Sequence, residues 1–499
     1  MMSTDEIRKK FLDFFASKEH PVIPSDSLVP QNDPTLLFTG AGMNQFKDYF
    51  LGVKKDLKRA ASSQKCLRTG DLEEVGRTPY HHSFFEMLGN FSFGDYFKKE
   101  AIEWAWEFLT KILEIPKSQL RVSVHKNDQE AFDLWVPFAG PGRIDKLGDK
   151  SNFWPANAPQ DGPNGPCGPC SEIYFDQNPS GGAGRTVEHS DYTEIWNLVF
   201  TQFDRQEGGK LVPLAQKNID TGMGLERLAC VLQGKKTNYE IDIFQKINES
   251  VEKKFLHAKV PANLLKTLYA ISDHVRACVF ASADGVIPSN EGRGYVIRKL
   301  LRKAIWCSRE ILIQVNPNLK GHDIGLHQIV PDIISAMKGT YPELKDAEES
   351  IINTFRTEEN AFLDNLEAGR EKLDAIISSL HQKNETAIPG ELCFKLHDTY
   401  GFPIDLIQSM AEKRDCEIDM AGFDRLMEEQ RKRAKDASKI SGSIFVTSEI
   451  EKKLAALPAT KFLGYSSLES KAKIIFTEIK DGKGILVLDQ SPFYAESGG

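Results

Sequence analysis

The octet Asp220–Arg227, D-T-G-M-G-L-E-R, decides how this chain is read. It sets a carboxylate, two close glycines and an arginine ahead of Leu225, Leu228, Ala229, Val231 and Leu232, which form one helical apolar stripe. Glycine lets the backbone approach a ligand closely. A guanidinium one turn inside the helix suits phosphate or the face of an aromatic base, and Asp220 can receive an ammonium group. The octet alone also fits a βα turn with a capped helix and a solvated arginine, so its neighbours must decide.

The composition bounds those neighbours. With 499 residues, 40% hydrophobic and 27% charged, the chain reads as a soluble globular protein of about two to four domains. No stretch approaches the ~20 apolar residues of a membrane span, and the opening M-M-S-T-D-E-I-R-K-K lacks the apolar core of a secretory signal. A cytoplasmic protein without membrane contact is expected. The net charge of −8 argues against the whole surface binding a polyanion, so any nucleic-acid contact must come from a local basic strip. Eight cysteines are too few for a disulfide framework. Cys167 and Cys170 form the single C-x-x-C, with no second pair or histidines nearby to complete a zinc site, so no metal site is expected within this chain.

Periodicity gives the coarse layout. Ser3 and Glu6 make a capping-box pattern ahead of Ile7, Phe11, Phe14 and Phe15, which predicts an N-terminal amphipathic helix. Pro21 to Asp56, including Leu36-Leu37-Phe38, reads as short strands and loops. Lys98 to Leu113 reads as helix, and Leu120, Val122 and Val124 alternate as a strand does. Pro155 to Pro169, with five prolines and three glycines, reads as an irregular loop. In the strand Glu194 to Phe203, Ile195, Asn197, Val199 and Thr201 share one face and Trp196, Leu198 and Phe200 the other. Asn197 is the polar member of its face and needs a hydrogen-bond partner. After about residue 238 helical periodicity dominates, strongest over Leu264 to Ala281, Gly294 to Leu312 and Ser350 to Leu380, the last long enough for a helix pair or a bent helix. Beyond Ile474, I-I-F-T and G-I-L-V-L-D read as strands.

A second site-like stretch, Cys66 to Phe97, outlines two strands around a loop and carries Arg68, Asp71, His81, His82, Phe85 and Glu86. On such a hairpin an arginine, a histidine and a phenylalanine can meet phosphate, ribose and adenine, although the two histidines also fit buried polar groups. Set beside the octet, this hairpin resembles motif 2 of the class II aminoacyl-tRNA synthetases, and Gly222, Gly224 and Arg227 resemble motif 3. L-V-P-Q-N-D-P-T-L-L-F-T-G-A-G-M-N-Q-F-K-D, H-H-S-F-F-E-M-L-G-N-F-S-F-G-D-Y-F-K, G-P-C-G-P-C-S-E-I, E-I-W-N-L-V-F, P-S-N-E-G-R-G-Y-V-I-R and D-T-Y-G-F-P resemble the alanyl-tRNA synthetase family, in order, from residue 5 to residue 499.

The resemblance implies an α+β fold: a class II catalytic domain over 1–240 built on an antiparallel sheet, a mainly helical tRNA acceptor-stem domain over 241–445, and a linker with the β-rich start of a further domain over 446–499. It implies that Arg68 grips the α-phosphate and that His82, Phe85, Trp154, Ile195, Trp196, Asn197 and Gly224 border ATP. Arg227 would cover adenine or reach the γ-phosphate, so Arg68 and Arg227 carry catalysis. Asn197 and Asp220 would bind alanine, Asp220 facing its ammonium, with Met43 and Val199 as pocket walls. Asn290 and Asp398 would read a G·U pair in the tRNA(Ala) acceptor stem, beside the basic residues Arg293, Arg298 and Arg302. The motif 1 proline stays open between Pro30 and Pro34. One departure is the loop after Arg68, where Thr69-Gly70 runs directly into Asp71-Leu72-Glu73 without the lysine and histidine usual in the family.

The implied activity joins L-alanine to tRNA in two steps with ATP and Mg²⁺. A relic that binds RNA and an adenylating ligase with another acceptor are the rivals. An alanine pocket cannot strongly reject serine, because one hydroxyl shifts binding by only ~1–3 kcal/mol. Editing, with its Zn²⁺, is therefore expected in a domain beyond residue 499, together with any self-association. The expected outcome is that this chain charges alanine and leaves seryl-tRNA intact, and rapid release of serine from Ser-tRNA would contradict it.

Overall fold

The computed structural model describes residues 2–30, 36–70, 72, 74–181, 184–316, 325–383, 385–400, 402, 404–412, 414–441, 457, 460–463, 469–480 and 483–493. Contacts divide the chain into a first unit, Met1–Leu363, and a second, Asp364–Gly499.

The first unit is organised by a sheet of eight strands: β1 (Arg59–Leu67), β2 (Phe84–Phe93), β3 (Leu120–His125), β4 (Ile144–Leu147), β5 (Phe153–Trp154), β6 (Gly165–Asp176), β7 (Tyr192–Arg205) and β8 (Leu211–Gly224). Their order is β1-β2-β8-β7-β6-β3-β4, with β5 on β6, and every pairing is antiparallel except that of β3 with β4. Around the sheet lie α1 (Thr4–Ser17), α2 (Lys98–Glu107), α3 (Leu225–Leu232), α4 (Leu265–Ala283) and α5 (Gly292–Val315), while α6 (Glu348–Gln382) runs through the division between units. This is the expected α+β architecture. The capping box at Ser3 forms as read: Glu6 N–H donates to Ser3 Oγ at 3.2 Å and Ser3 N–H donates to Glu6 Oε2 at 2.7 Å. The stripe behind it buries Phe11, Phe14 and Phe15 against Phe108 and Trp196.

Two local expectations need correction. Residues 165–169 are strand rather than loop, because β6 tolerates its prolines through an irregularity in register between Cys167 and Cys170. Gly168 lets β7 come close there, since a Cβ at this position would stand 2.0 Å from the Phe200 carbonyl oxygen. Leu36-Leu37-Phe38 forms no strand; the Arg293 guanidinium donates to the Leu36 and Leu37 carbonyls, which a sheet would otherwise use. Of the two readings open for Ser350 to Leu380, a helix pair or one long helix, the second holds, in a helix of 35 residues.

The helices that follow the sheet in sequence are tied into it by buried charge. Arg276 of α4 is fully buried, donating to Glu226 Oε1 of α3 at 2.8 Å and to the Phe84 carbonyl of β2 at 2.6 Å. Asp273, one turn earlier on α4, accepts from Ser83 N–H at 3.0 Å and faces His82 Nδ1 at 2.9 Å. Burial pushes the Asp273 carboxyl up, but hydrogen bonds from His274 and His82 hold it below the ordinary carboxylate range. On the other side of β2, Arg8 of α1 grips Glu86 through Nε at 2.6 Å and Nη2 at 2.8 Å, and the Tyr341 hydroxyl adds a bond at 2.8 Å. Arg276, Asp273 and Tyr341 thus bond the sequence after residue 240 to Phe84, Ser83 and Glu86.

The second unit contains α7 (Gly390–Tyr400), α8 (Ile404–Glu412) and α9 (Met420–Ser441), and Gly369 of α6 leaves room for the Phe402 ring. The late strands form the antiparallel hairpin Ile474–Lys480 with Lys483–Leu488.

Removing the guanidinium from Arg276 leaves the Glu226 carboxylate buried without its counterion, which costs about 3–5 kcal/mol. Arg276→Met is expected to lower the stability measured in urea unfolding by that much. Arg59→Ala, which breaks a half-exposed pair with Asp95, should cost under about 1 kcal/mol.

Candidate active site

A cavity of about 260 Å³ opens on the face of the sheet where β2, β8, β7 and β6 lie side by side. Strand alternation sends Phe85 and Met87 of β2, and Ile195, Asn197 and Val199 of β7, into it. Pairing of β7 with β8 sets Val199 opposite Asp220 and Asn197 opposite Gly222, and pairing of β6 with β7 sets Glu172 opposite Asn197. Arg68, at the end of β1, and Arg227, on the first turn of α3, stand at the rim with Trp154.

The inner end of the cavity is short of cations. Asp220 is 6% exposed and faces no basic side chain, so burial alone pushes its carboxyl up to about 7. Asn197 donates through Nδ2 to Glu172 Oε1 at 3.2 Å, while its buried Oδ1 has no partner. Glu172 is pushed up to about 8, first by burial and then by the neighbouring Glu194, against hydrogen bonds from Tyr174 and Ser123. The Asp220 carboxyl therefore lacks the cation that would satisfy it. Gly222, opposite Asn197, leaves room for the Met87 thioether, since a Cβ there would lie 2.9 Å from Met87 Sδ.

The outer end is cationic and aromatic. The Arg68 guanidinium lies 5.1 Å from the Phe85 ring centre and donates through Nε to the Gly40 carbonyl at 3.0 Å. Arg227 lies 5.1 Å from the Tyr80 ring centre and bonds Glu194 at 3.0 Å. Both guanidinium groups keep donors for a polyanion. His82 touches the cavity, yet its ring is stacked on Phe244 and spanned between Asp273 and Asn238 Nδ2, the latter at 3.0 Å from Nε2.

Ten of the residues expected in this site meet here: Arg68, His82, Phe85, Trp154, Ile195, Asn197, Val199, Asp220, Gly224 and Arg227. Trp196 does not. As the odd neighbour of Ile195 and Asn197 its indole turns to the opposite face and is fully buried against Phe11, Phe15 and Phe108. Met43 packs in the cluster of Phe46, Phe91 and Phe93, and the methionine in the cavity wall is Met87. Met87 was legible as the residue two beyond Phe85 on one strand; Glu172 was not, because only strand pairing brings it to Asn197.

On α5 the basic strip is partly internal. Arg302 is 9% exposed, bonded to Glu358 at 2.6 Å, and Arg298, one turn before it, shares that carboxylate at 3.1 Å. Their helical spacing puts both on the inward face, so Arg302 is not an RNA contact in this arrangement. Arg293 is spent on the Leu36 and Leu37 carbonyls, while Asn290 is exposed and accepts a bond from Arg298. The Asp398 side chain, Pro34, Asp71 and Glu73 lie outside the described residues. Among the described residues no cluster of three or more potential ligands could hold a metal ion, and no helix is long and apolar enough to cross a membrane.

The family model described as "tRNA synthetases class II (A)" matches residues 6–499. The chain belongs to that family. Class II (A) relatives include the alanine–tRNA ligases of Dechloromonas aromatica, 44% identical over 530 residues, and Nitrosomonas europaea, 45% identical over 524 residues. That of Chlorobaculum tepidum is 43% identical over 510 residues. Each alignment covers 100% of this chain and 56–57% of the relative, so the chain spans a little over half the length of the curated relatives it matches. Among solved structures, apo histidyl-tRNA synthetase of S. aureus aligns with 12% identity and a TM-score of 0.28, covering 47% of this chain and 67% of that one.

The Asp220 carboxyl also makes a stability prediction. Its pKa is raised by folding, so its favourable contribution is complete below about 4, where it is protonated in both states, and is lost as pH rises towards about 7. Asp220→Asn has no such loss. Relative to the unsubstituted chain it should gain up to roughly 4 kcal/mol between pH 4 and pH 7 and nothing further above that, as measured by denaturant unfolding at pH 4 and pH 8.

Proposed function

We propose that this chain activates L-alanine with ATP and transfers it to tRNA(Ala). The observation that carries the reading is the inner end of the cavity, where the buried Asp220 carboxyl has no cation against it and Gly222 lies close to the Met87 thioether. An α-ammonium supplies the missing cation, and the methyl group of alanine fits beside Gly222 and Met87. Val199 contributes apolar wall.

In the first step a carboxylate oxygen of alanine attacks the α-phosphorus of Mg-ATP, the bond to the bridging β-oxygen breaks, and pyrophosphate leaves. Catalysis here is orientation and charge neutralisation rather than proton transfer. Arg68 takes the α-phosphate, its fork held by Phe85 and Gly40. Arg227 covers adenine or reaches the γ-phosphate, and Trp154, Ile195 and Gly224 bound the nucleotide. His82 contributes as a fixed wall, because both of its ring nitrogens are engaged. In the second step a hydroxyl of the terminal adenosine attacks the alanyl carbonyl, forming the ester and releasing AMP and a proton.

For the tRNA, Asn290 and Asp398 are assigned to the G·U pair of the acceptor stem, with Arg298, which donates to Asn290, and Arg293 on the same helix as the basic residues next to it. Residues 1–240 are assigned to aminoacylation, 241–445 to acceptor-stem recognition and 446–499 to the approach to an editing domain. Zinc and self-association belong to sequence outside this chain, and the setting is the cytoplasm.

Alanine-dependent ATP–pyrophosphate exchange tests the reading. Asp220→Asn should lower kcat/KM for alanine at least about 100-fold, as expected when a buried charge loses its partner. Exchange that is absent from the unsubstituted chain, or that is equally strong after Asp220→Asn, would sink it. Asn290→Ala should leave exchange unchanged and lower charging of tRNA(Ala) about tenfold, the scale of one lost base contact.

A further inference from the structure

Each of the two arginines at the rim of the cavity lies over an aromatic ring. Arg68 is over Phe85 and Arg227 over Tyr80, both with 5.1 Å from guanidinium to ring centre. Phe85 already has a place beside the nucleotide in the reading above. Tyr80 has none, although it lines the same cavity.

A role for Tyr80 follows from how Arg227 is held. Its Nη1 donates to the Glu194 carbonyl at 3.1 Å and to Glu194 Oε2 at 3.0 Å, so both hydrogens of that nitrogen are directed at one residue. These bonds fix one corner of the guanidinium and leave its plane free to turn about that corner. The ring of Tyr80 removes this freedom, because a guanidinium is attracted to the face of an aromatic ring. Among the described residues the donors on Nε and Nη2 are then left for a ligand.

Tyr80 is itself braced from the segment that carries Arg227. The Pro79 carbonyl accepts from Asn238 N–H at 2.9 Å and from Thr237 Oγ1 at 3.0 Å, and the His81 carbonyl accepts from the Tyr239 hydroxyl. Thr237, Asn238 and Tyr239 follow directly on α3, the helix of Arg227. Hydrogen bonds therefore flank Tyr80 on both sides, and ring and guanidinium belong to one connected unit.

We propose that Tyr80 is a positioning residue for Arg227, whose ring sets the plane of the guanidinium before the nucleotide arrives. The inference rests on the ATP-using reading above. A long side chain that is ordered only on binding loses its rotamer freedom at that step and weakens the complex. With Tyr80 in place the loss is taken during folding, and ATP meets a guanidinium already aligned. The alanine end is independent of this device, since Asp220 is placed by the pairing of β8 with β2 and β7.

Equilibrium dialysis of Mg-ATP against this chain, without alanine, tests the assignment. Tyr80 is 38% exposed, so substitution there leaves the core intact. Tyr80→Leu should raise the Kd for ATP about fivefold, the scale of ordering one long side chain on binding. Tyr80→Phe keeps the ring and should stay within about twofold of the parent. In pyrophosphate exchange at saturating ATP, the KM for alanine should change less than about twofold in either variant. A direct contact between Tyr80 and the nucleotide is the rival, and a double-mutant cycle separates the two. Arg227→Lys keeps the charge on a stem that has no plane to set, so adding Tyr80→Leu to it should change the Kd less than about twofold. An effect of Tyr80→Leu that persists undiminished beside Arg227→Lys overturns the inference. So does a Tyr80→Leu chain that binds ATP as the parent does, or a Tyr80→Phe chain as weak as Tyr80→Leu. A parent chain that does not bind ATP removes the functional reading itself, whereas a parent that binds it and is indifferent to Tyr80→Leu removes only this assignment.

Discussion

The structure depends on two buried carboxylates being matched, each with its own arginine. Glu226 with Arg276 and Glu86 with Arg8 are withdrawn almost completely from water. A lone carboxylate in that position is strongly unfavourable, and the matched pair is tolerated because Coulomb attraction and hydrogen bonds offset the lost hydration. The pairs do more than balance charge. Glu226 also accepts the Glu86 backbone N–H at 3.2 Å, which ties the first turn of α3 to the middle of β2. With Glu86 pinned to the far side of β2, alternation sends Phe85 and Met87 into the cavity. With Glu226 pinned inward, Arg227 is left at the rim. Glycine-rich turn and aromatic hairpin are thus aimed at one another by ion pairs that lie behind the surface they build.

The same pairs explain how the helical layer is joined to the chemistry. Arg276 and Asp273 are successive inward positions of α4, one reaching β2 and α3, the other holding Ser83 and His82. Asn238 Nδ2 against His82 Nε2 assigns the imidazole proton to Nδ1, facing Asp273. His82 is consequently a stiff part of the wall. At the start of α5, Arg293 holds the Leu36 and Leu37 carbonyls, and the Gly40 carbonyl in the same segment takes the Arg68 Nε–H. A chain of side-chain to backbone bonds therefore runs from α5 to Arg68 without any regular element in between.

The strands and helices were legible where one face of an element is apolar. The capping box at Ser3, the two-faced strand around Asn197 and the hairpin around Arg68 follow from periods of 3.6 and 2 within a single segment. Alternation even carried the information that Trp196 faces away from Asn197, although the family resemblance put both beside the nucleotide. Pairings between distant segments were another matter. No local pattern sets Glu172 opposite Asn197, or Glu358 against Arg298 and Arg302, and a basic strip looks the same in sequence whether its cations meet water or a buried glutamate. Prolines misled in β6, because the irregular register between Cys167 and Cys170 and the close approach allowed by Gly168 are properties of the pair of strands.

Buried carboxylates in this fold are of two kinds, and the difference separates scaffold from site. Glu86, Glu226 and Asp273 have cations or several donors within hydrogen-bond distance, and they hold elements together. Asp220 has burial without a partner, and its carboxyl is accordingly pushed up to about 7. An unpaired buried acid weakens the fold at neutral pH. That cost is removed when a cation enters, so the free energy withheld from folding becomes available for binding. The ligand that recovers it must bring a positive charge to Asp220, beside Gly222 and Met87. A metal ion would need further ligands that the described residues do not assemble there. An α-ammonium meets that requirement, which is why the missing partner of one carboxylate says more about this site than the groups already satisfied around it.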